Sequence, residues 1–159
     1  MNDLLPIAER VAAILKRRNE SISVAESSSG GLIAAAMLSV AGASAYFLGG
    51  AVIYTRAGFH QYVSEQAFTN RRGLQEETAL DLARAIRDKW QSTWGIAEIG
   101  AAGPAGNRYG DPAGTSCIAV AGSSERSATI RTGSDNRVAN MRAFASEALE
   151  LLANLLEPR

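Results

Sequence analysis

The sequence has a single cysteine, Cys117, and a single histidine, His60. One cysteine excludes an internal disulfide framework and any multi-cysteine zinc site, and one histidine excludes a two-histidine metal motif. No cofactor is expected. Charge of one sign is also missing: 16 Lys and Arg face 16 Asp and Glu, for a formal net charge of +0. Duplex nucleic acid is normally met by a basic excess, so no nucleic-acid partner is expected. No apolar run approaches the roughly 18 residues of a bilayer span, so no membrane partner is expected either. The opening MNDLLPIAERVAAILKRRNE scatters charges among its apolar residues and lacks the core of a signal peptide, so a cytoplasmic location is expected. Aromatics are scarce at 6%. What is plentiful is small and apolar. At 47% hydrophobic, 159 residues can bury a sizeable core, which reads as one domain over 1–159. The 15 glycines are clustered rather than spread.

Helical spacing places Leu4, Leu5, Ala8, Val11, Ala12 and Leu15 on one stripe, with Asn2 or Asp3 in place to cap it and Pro6 in the first turn. Ile22 to Val24 reads as a strand and Leu32 to Val40 as a buried helix. Ala51 to Thr55 reads as a strand entered through Gly49 and Gly50. Residues 56–73 fit no single pattern. Glu76 to Gln91 reads as a helix burying Ala79, Leu82, Ala83, Ile86 and Trp90. Trp94 to Ile99 reads as a strand leading into a 16-residue loop. Ser116 to Val120 and Ala128 to Arg131 read as paired strands joined by a turn over Gly122 to Arg126. A last helix from Arg137 to Leu156 puts Val138, Met141, Ala145, Ala148, Leu152 and Leu155 on one face. This alternation predicts an α/β fold, a three-layer α/β/α single domain with a mixed sheet and helices on both faces.

Two segments carry candidate chemistry. In Val24-Ala25-Glu26-Ser27-Ser28-Ser29-Gly30-Gly31, a strand runs through hydroxyls and glycines into a helix. Exposed amides at a helix N-terminus suit a phosphate, a carboxylate or an oxyanion, and glycine lets a ligand approach the backbone. The P-loop lysine is absent, and the hydroxyls precede the glycines, unlike a G-x-S-x-G elbow. The same stretch also reads as an ordinary capped turn, with Glu26 a strand-end carboxylate bonded to nearby amides. The second segment runs from Gly100 through Gly103, Pro104 and Gly106 to Gly114 and Thr115, at a strand end where open α/β sheets place ligands. It reads equally as a solvent-exposed turn. Ser44, Tyr54 and Arg137 each sit near an element end. A cation in the first turn of a helix gains nothing from the dipole, so Arg137 points to an anionic partner. Taken singly, all three read first as surface or packing residues, His60 as a surface residue, and Cys117 as a small buried hydrophobe.

Together these segments resemble the C-terminal domain of the CinA (competence/damage-inducible protein A) family, the nicotinamide-nucleotide amidohydrolases. The family's A-E-S-C-T-G-G is similar to Ala25 to Gly31, with Ser28 and Ser29 for cysteine and threonine. Its G-S-S-A and G-x-V-x-Y-S-N-E-A-K resemble Gly42 to Ala45 and Gly50 to Phe59. Its G-I-A-G-P-x-G…P-V-G-T resembles Gly100 to Thr115 at equal length, and its G-D-R resembles Asp135-Asn136-Arg137. The resemblance covers essentially the whole chain. It implies metal-free hydrolysis of the carboxamide of nicotinamide mononucleotide to nicotinate mononucleotide and ammonia. In that scheme Ser27 attacks the amide carbon, amides near Gly30 and Gly31 hold the oxyanion, and Ser44 and Tyr54 line the site. Glu26, Ser28, Ser29, Thr115, Arg137 and the turn from Gly103 through Pro104 to Gly106 complete the contacts to a small nucleotide. The resemblance also implies a homodimer.

One position departs from the family. Its pattern ends Y-S-N-E-A-K in a lysine that looks like the partner of the serine, and Phe59 stands in that place here. A serine hydroxyl needs an adjacent base. Lys16 and Lys89 are the only lysines, both on predicted outer helices, and Arg56 stays protonated. His60 is the substitute offered by the sequence. The alternative is a catalytically impaired member that binds a pyridine nucleotide or similar phosphorylated ligand. The acidic loop position of the family is likewise replaced, by Ala105.

Overall fold

The first apolar stripe forms α1 (Leu5–Arg18), which buries Ala8, Val11, Ala12, Ile14 and Leu15. Each such leucine or isoleucine removed from water contributes about 1.5–3 kcal/mol. The computed structural model describes residues 1–64 and 73–157. Neither Asn2 nor Asp3 caps α1: Leu4 is the capping residue, fully buried and without a side-chain cap bond. Burial of Leu4 sets where the helix begins, and Pro6 fits the first turn because its missing amide would have had no partner there. The helix ends in Lys16, Arg17 and Arg18, cations that complement the dipole, and Asn19 closes it in a left-handed conformation.

The strands are β1 (Ile22–Glu26), β2 (Phe47–Val52), β3 (Trp94–Ala101), β4 (Thr115–Ala121) and β5 (Glu125–Arg131). They form one sheet in the order β2-β1-β3-β4-β5. Parallel pairing joins β1 to β2 and β3, and antiparallel pairing joins β3 to β4 and β4 to β5. The helices between and after them are α2 (Leu32–Ser39), α3 (Arg56–Phe59), α4 (Glu76–Trp90) and α5 (Arg137–Leu156). One core joins α1, α2 and α5 to Ile22, Val24, Ile96, Ile118 and Val120. The other packs α4 against Ala25, Ala97, Ile99, Cys117 and Ala119. Strand alternation sends neighbouring residues to opposite faces, so two cores on one sheet give the expected α/β/α layering. Among the described residues, no helix is long and apolar enough to cross a membrane.

Four local readings are corrected. β2 contains Gly49 and Gly50 instead of starting after them. The Trp90 ring lies where a Gly49 side chain would stand, and Gly50 lies against β1. Trp90, expected inside, is 42% exposed because it covers that edge strand rather than entering the core. On α5, Ala145, Ala148 and Leu152 are buried, whereas Val138, in the first turn, is 65% exposed. The turn between β4 and β5 is tighter than expected, spanning residues 122–124. Of the ambiguous stretch 56–73, α3 is now defined and residues 65–72 lie outside the described residues.

The parallel strands have a functional consequence. Their carboxyl ends share one edge of the sheet, where the turn after β1, the segment after β2 and the long loop after β3 converge.

Candidate functional site

Ser27 stands at that edge, directly after β1. It lines a cavity of about 250 Å³ together with Tyr54, Arg56 and Phe59 from the segment after β2. Ile99 and Gly100 at the end of β3 form more of the wall, with Thr78 of α4 beside them. Asn107, Arg108 and Tyr109 come from the long loop, and Gly73 and Leu74 precede α4. Two guanidiniums and three aromatic rings with no acidic side chain among the described lining residues make a wall suited to a flat, anionic ligand. The Arg108 guanidinium lies 5.0 Å from the Tyr109 ring centroid and donates to its hydroxyl at 2.8 Å.

The turn after β1 is held from inside. Glu26 and Glu98 are cross-strand neighbours on β1 and β3, and both are fully buried. Glu26 accepts from Ile33 N at 3.0 Å and Ala34 N at 2.9 Å, so its carboxylate already occupies the N-terminus of α2. An external anion is therefore not bound by those amides, and Glu26 does not line the cavity. Ser28 donates to Glu98 Oε1 at 2.5 Å, and Ser29 lies between the two acids, 2.6 Å from Glu26 Oε2 and 2.9 Å from Glu98 Oε2. Both serines thus point into the protein rather than into the cavity. Gly30 and Gly31 adopt φ of 69° and 97°, the left-handed region that glycine alone enters readily. The Gly30 amide donates to Ser27 O. The amides of Ser28 and Gly31 donate to no acceptor among the described residues.

The long loop is tied to the last helix. Arg137 donates to Gly103 O and to the Tyr54 hydroxyl, both at 2.8 Å. Its guanidinium lies 5.9 Å from the Tyr54 ring centroid. Buried Asn140 donates to Ala102 O and Ser134 O at 2.8 Å each. Asp111 accepts from Leu74 N at 2.8 Å and from Asn107 Nδ2 at 2.6 Å, folding the middle of the loop toward the cavity. Pro104 follows a cis peptide and is exposed, and Gly106 packs against the Asp111 backbone. Neither lines the cavity. Thr115 is buried at the start of β4, its hydroxyl without a hydrogen-bond partner.

Of the residues expected in the site, the cavity therefore brings together Ser27 and Tyr54, while Arg137 and Gly103 are tied to it only through the Tyr54 hydroxyl and do not line it. Ser44 sits exposed in the 3-10 turn Ala43–Ala45, at the amino end of β2, the opposite end of the sheet from Ser27. The whole length of the parallel strands separates it from the cavity within one chain. His60 accepts from Arg56 Nε at 3.3 Å and does not line the cavity, whereas Phe59 does. Lys16 donates to Ala41 O and Lys89 lies over the Tyr62 ring, so neither lines the cavity. Burial pushes the Cys117 thiol up, in keeping with a packing role. Sequence reasoning missed Glu98, Arg108 and Tyr109. A lone acid in the apolar run Trp94–Ala101 was the available signal for Glu98.

The sequence profile of the CinA C-terminal domain matches residues 4–156. The chain belongs to the CinA C-terminal domain family. A CinA-like protein of Amoebophilus asiaticus is 33% identical over 153 residues, covering 95% of this chain and 37% of that protein. A CinA-like protein of Anaeromyxobacter dehalogenans is 37% identical over 152 residues, covering 94% and 37%. The chain thus spans less than two-fifths of the length of these relatives. The crystal structure of the competence/damage inducible protein CihA from Agrobacterium tumefaciens superposes with a TM-score of 0.91 at 28% identity, covering 98% of this chain and 96% of that one. A CinA superfamily protein from Klebsiella pneumoniae shares the fold, with a TM-score of 0.90 at 24% identity over 96% and 97% of the two chains. The CinA fold thus sets the frame on which Ser27 and the cationic cavity sit.

Proposed function

We propose that this chain is a nicotinamide-nucleotide amidohydrolase-like protein, acting on the carboxamide of nicotinamide mononucleotide. The observation that carries this reading is Ser27, set in the wall of a cavity lined by Arg56, Arg108 and three aromatic rings. A pyridine ring fits between aromatic walls, and a phosphate fits the guanidiniums, with Arg137 and Tyr54 beside them. Ser27 Oγ attacks the carboxamide carbon, and the Ser28 and Gly31 amides take the developing oxyanion. The carbon–nitrogen bond then breaks, ammonia leaves with the serine proton, and water releases nicotinate mononucleotide from the acyl-serine. We place this chemistry in a single domain in the cytoplasm and, on the family resemblance, in a homodimer.

A second reading rests on Phe59. The described lining residues include no carboxylate, imidazole or ammonium, so the cavity holds a ligand without a base beside Ser27. In that reading the chain binds a pyridine nucleotide and does not turn it over. Ammonia release from nicotinamide mononucleotide separates the two. The amidase reading expects release that Ser27→Ala abolishes. No release at high protein concentration, together with a rise in melting temperature on adding the nucleotide, leaves the binding reading.

A further inference from the structure

Three serines follow one another at the end of β1, and only one lines the cavity. The reason lies on the neighbouring strand. Glu98 Oε1 accepts from Ser28 Oγ at 2.5 Å and from Ser116 Oγ at 3.0 Å. Glu98 Oε2 accepts from Ser29 N at 2.8 Å, Ser29 Oγ at 2.9 Å and Ser27 N at 3.1 Å. Five donor groups face one fully buried carboxyl, the Ser29 and Ser116 hydroxyls being shared with Glu26 Oε2 and Ile99 O, and no cation pairs with it among the described residues. The backbone adds a sixth bond, Ser27 N to Glu98 O at 3.1 Å.

We propose that Glu98 is a positioning residue that selects Ser27, among three consecutive serines, as the hydroxyl presented to the cavity. The Ser28 hydroxyl is drawn inward by Glu98, the Ser29 hydroxyl by Glu98 together with Glu26, and the Ser27 amide is fixed by the Glu98 carboxyl. The Ser27 hydroxyl is left without a partner among the described residues, facing the ligand space. Gly100 makes this possible. A side chain there would collide with Ser28 Oγ and stand 2.9 Å from Glu98 Oε1. Reaction rates are sensitive to such placement, since a shift of about 1 Å can cost roughly 10²-fold.

This inference rests on Ser27 being the reactive serine of the proposed amidase, and its test separates the two. Purified protein is treated with a fluorophosphonate probe and the modified serine is located by mass spectrometry. Labelling at Ser27, with Ser28 and Ser29 untouched, is expected whether or not nicotinamide mononucleotide is the substrate. Labelling at Ser28 or Ser29 overturns the proposal, and no labelling at any of the three overturns the amidase reading instead. Two variants then distinguish positioning from charge. Glu98→Asp keeps the charge but withdraws the carboxyl by one methylene, and is expected to slow Ser27 labelling tenfold or more. Glu98→Gln keeps the reach, and is expected to recover most of that loss. Where the wild type releases ammonia, kcat follows the same order and KM stays within threefold, since Glu98 does not line the cavity. Equal labelling rates in wild type and Glu98→Asp, or a change confined to KM, overturn the proposal. Ser27 labelling in the expected order without ammonia release overturns the amidase reading alone.

Discussion

Arg137 donates to the Tyr54 hydroxyl at 2.8 Å, tying the first turn of α5 to the segment after β2. The two residues are 83 positions apart, and together with Gly103 they join three segments, one of which holds Tyr54 in the cavity wall. Replacing Arg137 with alanine removes both bonds and a cation. Bonds to charged groups are worth about 1.5–3 kcal/mol, so Arg137→Ala is expected to weaken binding of nicotinamide mononucleotide by roughly tenfold or more. Tyr54→Phe keeps the ring and is expected to cost less. Titration calorimetry of the two variants checks the order.

Phe59 stands where the pattern that the sequence resembles has a lysine, and it lies in the cavity wall. Phe59→Lys is expected to raise amide hydrolysis by roughly 10²-fold, the range of general-base help. Phe59→Met, which adds no base, is expected to leave the rate low. Equal rates in the two variants would show that the deficit lies elsewhere.

Gly100 admits no side chain, because Ser28 Oγ, Glu98 Oε1 and the Phe144 ring crowd its missing Cβ. Gly100→Ala is expected to cost about 1–3 kcal/mol, the usual range for overpacking, and to lower activity by moving the serine turn. Denaturant unfolding and an ammonia assay on the same sample check both effects.

Glu76, in the first turn of α4, accepts from Thr129 Oγ1 at 2.7 Å and Ser127 Oγ at 2.8 Å on β5. The Thr129 bond, then the Ser127 bond, holds its carboxyl below the usual value of 4.5. A depressed pKa contributes stability that is fully present above the unfolded value and lost as pH falls through the folded one. Thermal melts from about pH 7 down to about pH 3 are expected to show the wild type losing its advantage over Glu76→Gln below about pH 4.5. Parallel curves for the two proteins would remove Glu76 from the acid response.

The elements were legible wherever periodicity was strong. Helix α5 over Arg137–Leu156 and the apolar strands β1, β3 and β4 follow from spacing alone. Edge features were not. The glycines of β2 look like a strand entrance until Trp90 is seen lying over Gly49, a contact that no local pattern contains. The same limit applied to the site. Hydroxyls and glycines after β1 mark this turn in the sequence, yet Ser27, Ser28 and Ser29 are chemically alike there.

By itself, then, the sequence determined the α/β alternation, the serine- and glycine-rich turn, and the absence of a lysine at position 59. These are local properties, set by side-chain type and spacing. Tertiary structure decided which groups meet. It turned Glu26 into the cap of α2, put Ser44 at the far end of the sheet, and brought Arg108 and Tyr109 to the cavity. It also laid β3 beside β1, so that Glu98 meets the serine turn. The pairing of strands about 70 residues apart is a long-range choice, made by burial of both sheet faces rather than by any local preference.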